Sequence, residues 1–86
     1  MTKSEIKIKV KLFSIYQEVF DTPELDLSVA EGTSVGNVLA SLIEQKPQLA
    51  KWQKVTRFGV NLHFVEPNVL LNNGDEVVFI PPVSGG

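Results

Sequence analysis

A chain of 86 residues with 43% hydrophobic residues, 21% charged residues and no cysteine is long enough for one domain with one core, and it has no disulfide, thiolate metal site or thiol nucleophile. Its formal net charge of −2 argues against a nucleic-acid partner, because nucleic-acid binders usually present a strongly basic face. No apolar run approaches the roughly 20 residues of a membrane span, and the first residues lack the apolar segment of a signal peptide, so we expect a cytoplasmic protein with no membrane partner.

The charges are unevenly distributed along the chain. Four lysines lie within residues 3–11, whereas no lysine or arginine follows Arg57, and the last third carries Glu66, Asp75 and Glu76. Two interpretations stay open: ordinary solubility, or attraction of an acidic C-terminal region to a basic partner.

The first third of the sequence predicts a strand, a short helix and a second strand. Residues Glu5–Leu12 alternate between apolar side chains and charged ones, which is the period of a strand with one buried face. Residues 13–20 place apolar side chains at helical offsets and predict a short turn of helix. Residues 25–29 alternate again and predict a second strand that ends at the turn containing Gly32.

A change of period marks the main helix. Its apolar residues follow the i, i+3, i+4, i+7, i+8 spacing of an amphipathic helix: Val35, Val38, Leu39, Leu42 and Ile43. Ser34 is placed to cap the first amide groups, and Pro47 ends or interrupts the helix. Gly36 lowers the helix propensity by up to about 1 kcal/mol relative to alanine, which indicates either a crowded backbone or an unoptimised position.

The remaining sequence predicts short strands joined by turns. Residues 57–65 read as two strands with a turn at 61–63, and turn signals follow at 66–68 and 72–75. The last strand, 77–80, is apolar on both faces, which is typical of a strand covered on both sides. Because one helix covers only one face of a small sheet, the other face is either sheltered by a loop or left for a partner.

This order of elements predicts an α+β fold. A helix laid across a mixed sheet, with the first strand in the middle beside a parallel last strand, satisfies the order with one right-handed crossover. This is the β-grasp arrangement, although periodicity alone does not select it over other single-helix α+β sandwiches. We expect the domain to comprise residues 1–80 and an extended diglycine tail to comprise residues 81–86.

The end of the sequence carries the most specific motif. Residues 74–86 read GDEVVFIPPVSGG and resemble the C-terminal signature of the MoaD family, the small sulfur-carrier subunits of molybdopterin synthase. Residues 8–18, 32–35 and 60–61 resemble the family's first strand and short helix, its helix start and its mid-chain turn. The likeness therefore covers nearly the whole chain. The related ThiS carriers are usually shorter and reach their diglycine without the double proline.

The resemblance implies a ubiquitin-like fold and a non-catalytic carrier subunit. An adenylating enzyme (MoeB-like) would use ATP to convert the Gly86 carboxylate to an acyl adenylate, and sulfur would then replace AMP to give a thiocarboxylate. The thiocarboxylate would donate sulfur to cyclic pyranopterin monophosphate in the large subunit (MoaE-like) to form the molybdopterin dithiolene. The carrier itself is expected to bind no cofactor or metal, and two copies of each subunit are implied for the complex.

The composition of the tail suits delivery of one carboxylate into another protein. Its six residues extend at most about 20 Å; they are Pro81, Pro82, Val83, Ser84, Gly85 and Gly86. The prolines stiffen the tail, so the tail loses less conformational freedom when it inserts into a partner. The two glycines lack a Cβ atom, so the tip passes through a narrow channel.

Four of the five phenylalanines, at positions 13, 58, 64 and 79, are candidates for the core. The resemblance instead assigns Phe13, Phe64 and Ile80 to the apolar surface that meets the large subunit and the adenylating enzyme.

The chain offers no convincing catalytic constellation of its own. His63, its single histidine, falls in a predicted turn and is expected at the surface rather than in an active site or metal site. Asp75 and Glu76 are adjacent and point to opposite sides of any strand they enter, which is poor geometry for paired carboxylate catalysis.

Three hypotheses remain from the sequence. The favoured one is the sulfur carrier of molybdopterin synthase. The second is a carrier for thiamine or tungsten-cofactor synthesis, or a ubiquitin-like modifier conjugated to lysines. The third is a noncovalent β-grasp interaction module whose tail has no chemistry.

Overall fold

The computed structural model of the protein describes residues 4–82. Its elements in chain order are β1 (Glu5–Leu12), α1 (Ile15–Phe20), β2 (Glu24–Ala30), α2 (Val35–Gln45), a 3₁₀ helix (Pro47–Val55), β3 (Arg57–Val60), β4 (His63–Val65) and β5 (Glu76–Ile80). The strands and the two α-helices therefore occur in the predicted order.

The five strands form one mixed sheet in the order β2-β1-β5-β3-β4. The first strand, β1, is antiparallel to β2 and parallel to the last strand, β5, while β3 is antiparallel to both β5 and β4. Parallel neighbours need a long connection, and the chain between β1 and β5 carries α2, which covers one face of the sheet. This α+β topology is the β-grasp arrangement, and the prediction of it is confirmed.

The core lies between α2 and the sheet. β1 alternates as predicted, with its apolar side chains buried and its lysines on the opposite face, which we call the open face. The inward residues of β5 and one side of α2 complete the core: Val77, Phe79, Val35, Val38, Leu39 and Leu42. The Ser34 hydroxyl accepts a hydrogen bond from the Asn37 amide at 3.1 Å, so the predicted cap of α2 is confirmed. Burial of each such aliphatic or aromatic side chain contributes about 1.5–3 kcal/mol, which makes core packing the main source of stability.

The segment between α2 and β3 differs from the prediction. Residues Pro47–Val55 form a 3₁₀ helix where the sequence indicates only a polar stretch. Leu49 is the fully buried residue of this helix, and a single buried position gives no periodic apolar signal. The turn after β3 is also one residue shorter than predicted, because His63 begins β4.

The backbone around Gly36 is crowded, which decides between the two interpretations of this glycine. The Gly36 amide donates a hydrogen bond to the Pro67 carbonyl at 2.8 Å, and the Val35 amide donates to the Val69 carbonyl at 2.9 Å. A Cβ atom at position 36 would lie 2.8 Å from the Pro67 carbonyl oxygen and 3.0 Å from the Pro67 Cβ. Glycine therefore allows the loop between β4 and β5 to satisfy amide groups at the start of α2.

A buried hydrogen-bonded chain ties α1 to the 3₁₀ helix. The Thr56 hydroxyl donates to the Trp52 carbonyl at 2.8 Å, so the fully buried Tyr16 hydroxyl donates to the Thr56 oxygen. The Tyr16 ring also lies 6.1 Å from the Phe79 ring. Burial raises the pKa of Tyr16, and the hydrogen bond with Thr56 offsets part of this rise.

Gly36→Ala should lower the free energy of unfolding by about 1–3 kcal/mol, because the added methyl group overlaps the Pro67 carbonyl and overpacking of this kind carries that cost. The gain in helix propensity, up to about 1 kcal/mol, is too small to compensate. Urea denaturation measures the difference.

The matched control is Gly59→Ala on β3, where a Cβ atom would make ordinary contacts at 3.6 Å to the His63 carbonyl oxygen and 3.7 Å to the Val78 Cβ. Its stability should equal or slightly exceed that of the parent protein. A Gly36→Ala variant as stable as the Gly59→Ala variant would contradict the crowding.

Tyr16→Phe should lower the free energy of unfolding by about 1 kcal/mol near pH 8, because one buried hydrogen bond is lost. The folded protein holds the phenol proton more tightly than the unfolded chain, since burial raises its pKa above the ordinary value of 10.0. The advantage of the parent protein is therefore complete below pH 10.0 and declines as the pH rises above it. Urea denaturation of both proteins across this range tests the claim, and a difference that stays constant well above pH 10.0 would refute it.

Candidate functional site

The predicted tail begins at the end of the interior strand β5. Ile80, the last residue of β5, pairs with Arg57 of β3, and Phe79 lies beside Leu12 of β1. Pro81 is buried and Pro82 is exposed. The first proline is therefore part of the packed domain surface, and the chain becomes accessible at the second. The other tail residues, Val83, Ser84, Gly85 and Gly86, lie outside the described residues.

An apolar surface occupies the open face next to this strand end. Residues paired directly across neighbouring strands share a face, and Phe64 of β4 pairs with Gly59 of β3, which pairs with Val78 of β5. Ile80 follows Val78 at the next position on that face. Phe64 is 71% exposed, and Val78 and Ile80 are partly exposed.

Of the four phenylalanines considered for the core, two are buried and two are exposed. Phe58 and Phe79 are buried and meet edge to face, with ring centroids 5.6 Å apart. Phe13 is 45% exposed and directly follows Leu12, which is in register with Phe79. Phe13, Phe64 and Ile80 thus all have accessible surface, with Phe13 and Ile80 at the end of the sheet where the tail starts. Their contact with a partner stays a prediction.

A shallow concavity of about 170 Å³ on this face includes residues that the sequence analysis missed. Its lining is Gly59, Leu62, His63, Phe64, Val78 and Ile80. Leu62 is 92% exposed and, with Asn61, forms a turn in which both residues have positive φ, 74° and 51°. The signal available in the sequence was an apolar residue inside a predicted turn, where polar residues and glycine are usual. His63 is exposed, as predicted.

Two lysines of β1 on the open face form ion pairs with carboxylates of neighbouring strands. The Lys11 Nζ atom lies 3.1 Å from Glu76 Oε2, and the Lys9 Nζ atom lies 3.2 Å from Glu24 Oε1. Exposed pairs of this kind are screened by solvent and contribute little to stability. The uneven charge along the sequence is therefore partly neutralised in the fold, since β1 and β5 bring the early lysines beside Glu76.

Asp75 has a structural role in the turn before β5. Its carboxylate accepts hydrogen bonds from the Asn61 side-chain amide and from the Asn72 backbone amide, each at 2.8 Å. The Asn61 side-chain oxygen Oδ1 accepts a further bond from the Glu76 backbone amide at 3.0 Å. Gly74 has φ of 88°, as the predicted turn requires. Asp75 and Glu76 thus have separate partners, and Asp75 fixes the β3–β4 turn against β5.

Other features of the described residues give no catalytic constellation. An open groove of about 540 Å³ beside β4 is lined by charges of both signs, including Lys54, Arg57 and Glu66. Within residues 4–82, no group of three or more histidine, aspartate or glutamate side chains is arranged to hold a metal ion. In that same part of the chain, no helix has the length and apolar character needed to cross a membrane.

Comparison with known sequences identifies relatives along nearly the full chain. Residues 10–86 match the profile of the ThiS family. A molybdopterin synthase sulfur carrier subunit from Mycobacterium tuberculosis is 37% identical over 82 residues, which cover 94% of this chain and 99% of that protein. The subunit of the same name from Chlamydomonas reinhardtii is 35% identical over 83 residues, covering 94% of this chain and 100% of that protein.

Solved structures share the fold. The small archaeal modifier protein 1 from Methanosarcina acetivorans has a TM-score of 0.74 and 30% identity, covering 96% of this chain and 99% of its own. A Caldiarchaeum subterraneum ubiquitin has a TM-score of 0.65 at 22% identity, covering 96% of this chain and 100% of its own. A chain from the complex of subunits 1 and 2 of the Helicobacter pylori molybdopterin-converting factor has a TM-score of 0.60 at 22% identity, covering 94% and 100%.

The last two structures are too distant in sequence to indicate more than a ubiquitin-like fold. The family match reaches further, because residues 10–86 include the tail motif as well as the folded domain, and the two relatives above 30% identity each cover 94% of the chain. On these grounds the chain belongs to the ThiS family, and its resemblance to the MoaD-type sulfur carriers is confirmed.

Proposed function

We propose that this chain is the sulfur-carrier subunit of a molybdopterin synthase. The observation that carries the proposal is the PPVSGG tail, which follows the interior strand β5 in a chain whose relatives above 30% identity bear that name. Gly86 is the residue that carries sulfur in this proposal, and no step is assigned to any side chain of the folded domain.

The proposed chemistry takes place at the Gly86 carboxylate. A carboxylate is a poor acyl donor, so an adenylating enzyme first joins it to AMP from ATP and releases pyrophosphate. A persulfide then displaces AMP to give an acyl disulfide, and a thiol reduces the S–S bond to release a terminal thiocarboxylate. This chemistry needs no cysteine in a carrier that has none. In the large subunit the thiocarboxylate sulfur passes to cyclic pyranopterin monophosphate, and water returns the Gly86 carboxylate. Each dithiolene consumes two carriers.

The folded domain provides a fixed base for the tail. β5 is hydrogen-bonded on both sides, to β1 and β3, and Phe79 is fully buried. The four residues after Pro82 extend at most about 14 Å. A partner that holds the Gly86 carboxylate must therefore come close to the end of β5, where Phe13 and Ile80 are accessible. Phe64 extends the same surface across the sheet.

Two partners are proposed for this surface, the large subunit of molybdopterin synthase and the adenylating enzyme. The Helicobacter pylori structure is a complex of subunits 1 and 2 of a molybdopterin-converting factor, which supports a large-subunit partner here. Because both partners need the tail, the carrier must leave one before it meets the other. We place these exchanges in the cytoplasm, and we propose two copies of each subunit in the synthase.

One observation favours a second candidate function. The Methanosarcina acetivorans relative at 30% identity is named a small archaeal modifier protein. A ubiquitin-like modifier would require the same activation of a diglycine terminus. In that case the Gly86 carboxylate would form an amide with lysine side chains of other proteins. A sulfur carrier for thiamine or tungsten-cofactor synthesis remains a further variant of the proposal.

Protein purified from cells with an intact pathway should carry a C-terminal mass gain equal to the exchange of one oxygen for one sulfur. The gain should map to the last peptide and be absent when the adenylating enzyme is deleted. Intact-mass and peptide mass spectrometry make the measurement, with a variant lacking Gly86 as the control. A carboxylate terminus under every condition would rule out a sulfur carrier.

Deletion of the gene should abolish the activity of molybdoenzymes, and the parent sequence should restore it. A variant lacking Gly85 and Gly86 should fail to restore activity while remaining folded, because the core residues within residues 4–82 all precede Pro81. Molybdoenzymes that stay active after deletion would favour a modifier or a thiamine carrier. Restoration by the shortened variant would favour a noncovalent interaction module.

A further inference from the structure

Resting on the proposed function, we propose that the concavity on the open face is a socket for one apolar side chain of the large subunit. The Gly59 socket consists of the residues that line this concavity: Gly59, Leu62, His63, Phe64, Val78 and Ile80. Gly59 forms its floor, and Leu62 is a specificity-determining wall residue.

The floor of the socket results from a missing side chain in a cross-strand row. Gly59 lies between Phe64 on β4 and Val78 on β5. The side chains of Phe64 and Val78 lie on the open face, and a side chain at position 59 would lie between them. Neighbouring strands are about 4.8 Å apart, so Phe64 and Val78 stand roughly 10 Å apart with no side chain between them. This gap opens outward, away from α2.

The fold itself does not require glycine at position 59. A Cβ atom there would make ordinary contacts at 3.6 Å and 3.7 Å, unlike the overlap at Gly36. Gly59 also lacks the positive φ that explains Gly32 and Gly74. Because glycine inside a strand costs about 0.5–1 kcal/mol, the absence of a side chain at this position is better explained by what the gap admits.

Leu62 provides an independent indication at the same place. It has φ of 74°, a conformation that glycine and asparagine adopt with less strain, and its side chain is 92% exposed. Leucine thus costs backbone energy and gains no burial in the isolated chain. Both the leucine and the glycine are unfavourable for the fold, and both line the socket.

The size and position of the socket define its occupant. A volume of about 170 Å³ is close to that of an apolar cavity known to bind benzene, roughly 150 Å³, so one aromatic or branched aliphatic side chain fits. Ile80 forms one wall, and the accessible chain starts at Pro82. With four residues beyond Pro82, reaching about 14 Å at most, a protein that holds Gly86 comes close to this surface. The Helicobacter pylori complex of subunits 1 and 2 favours the large subunit as the protein that supplies the side chain.

The test measures two quantities for each variant of the full chain. Calorimetry gives its affinity for the purified large subunit, and urea denaturation gives its stability. Gly59→Ala should bind about tenfold more weakly and Gly59→Leu about a hundredfold more weakly, with no loss of stability. Leu62→Asn should raise stability and weaken binding about tenfold. The control is Leu70→Ala, since Leu70 is 59% exposed but lies beside Ser34, outside the socket; its affinity should match the parent.

Unchanged affinity in both Gly59 variants, or equal losses in the Leu70 control, would overturn the socket while leaving the proposed function intact. The inference would also be overturned if the parent chain sediments as a dimer and the Gly59→Leu variant sediments as a monomer, because a second copy would then fill the socket. A parent chain that never binds the large subunit would instead refute the proposed function itself.

Discussion

The parallel pairing of β1 with β5 is the constraint on which the rest of the structure depends. It places Val10 beside Val77 and Leu12 beside Phe79, so the first and last strands of the chain share the interior of the sheet. Parallel neighbours require a long connection, and that connection contains α2, which covers the face opposite the open face. The same pairing holds the base of the tail between two strands, which removes most of the freedom of the chain up to Pro81.

This pairing also divides the open face into two regions. On the β1 side, lysines pair with carboxylates, as in the Lys11–Glu76 and Lys9–Glu24 ion pairs. On the β3 and β4 side, Phe64, Val78 and Ile80 leave an apolar surface with Gly59 at its floor. The charged region favours solvent, and the apolar region favours a partner. Because the tail begins at the border of the two, the proposed docking of the apolar region and the proposed insertion of the tail would be parts of one contact.

Local patterns predicted those parts of the fold that depend on neighbouring residues. The alternation of β1, the helical spacing of α2 with its Ser34 cap, and the turn at Gly74 all follow from side chains a few positions apart. The 3₁₀ helix did not, since Leu49 is its one fully buried residue and polar residues surround it. The tail motif was accessible from the sequence because its residues are contiguous.

The candidate site was only partly accessible from the sequence, for a physical reason. The Gly59 socket exists because three strands align Phe64, Gly59 and Val78 in one row, and register between strands is a nonlocal property. The hydrogen bonds that the Asp75 carboxylate accepts from Asn61 and Asn72 likewise join two turns that are distant in sequence. The burial of Pro81 depends on packing at the end of β5, so two consecutive prolines with the same local signal differ in exposure.

The central claim is that this chain delivers sulfur from Gly86 while another chain performs the chemistry. A single-turnover reaction tests it most directly, with purified thiocarboxylated carrier, large subunit and cyclic pyranopterin monophosphate, and with the molybdopterin formed measured against the carrier consumed. The account predicts one molybdopterin for every two carriers and none from the carboxylate form. Molybdopterin formed without consumption of the thiocarboxylate, or none formed with it, would contradict the account.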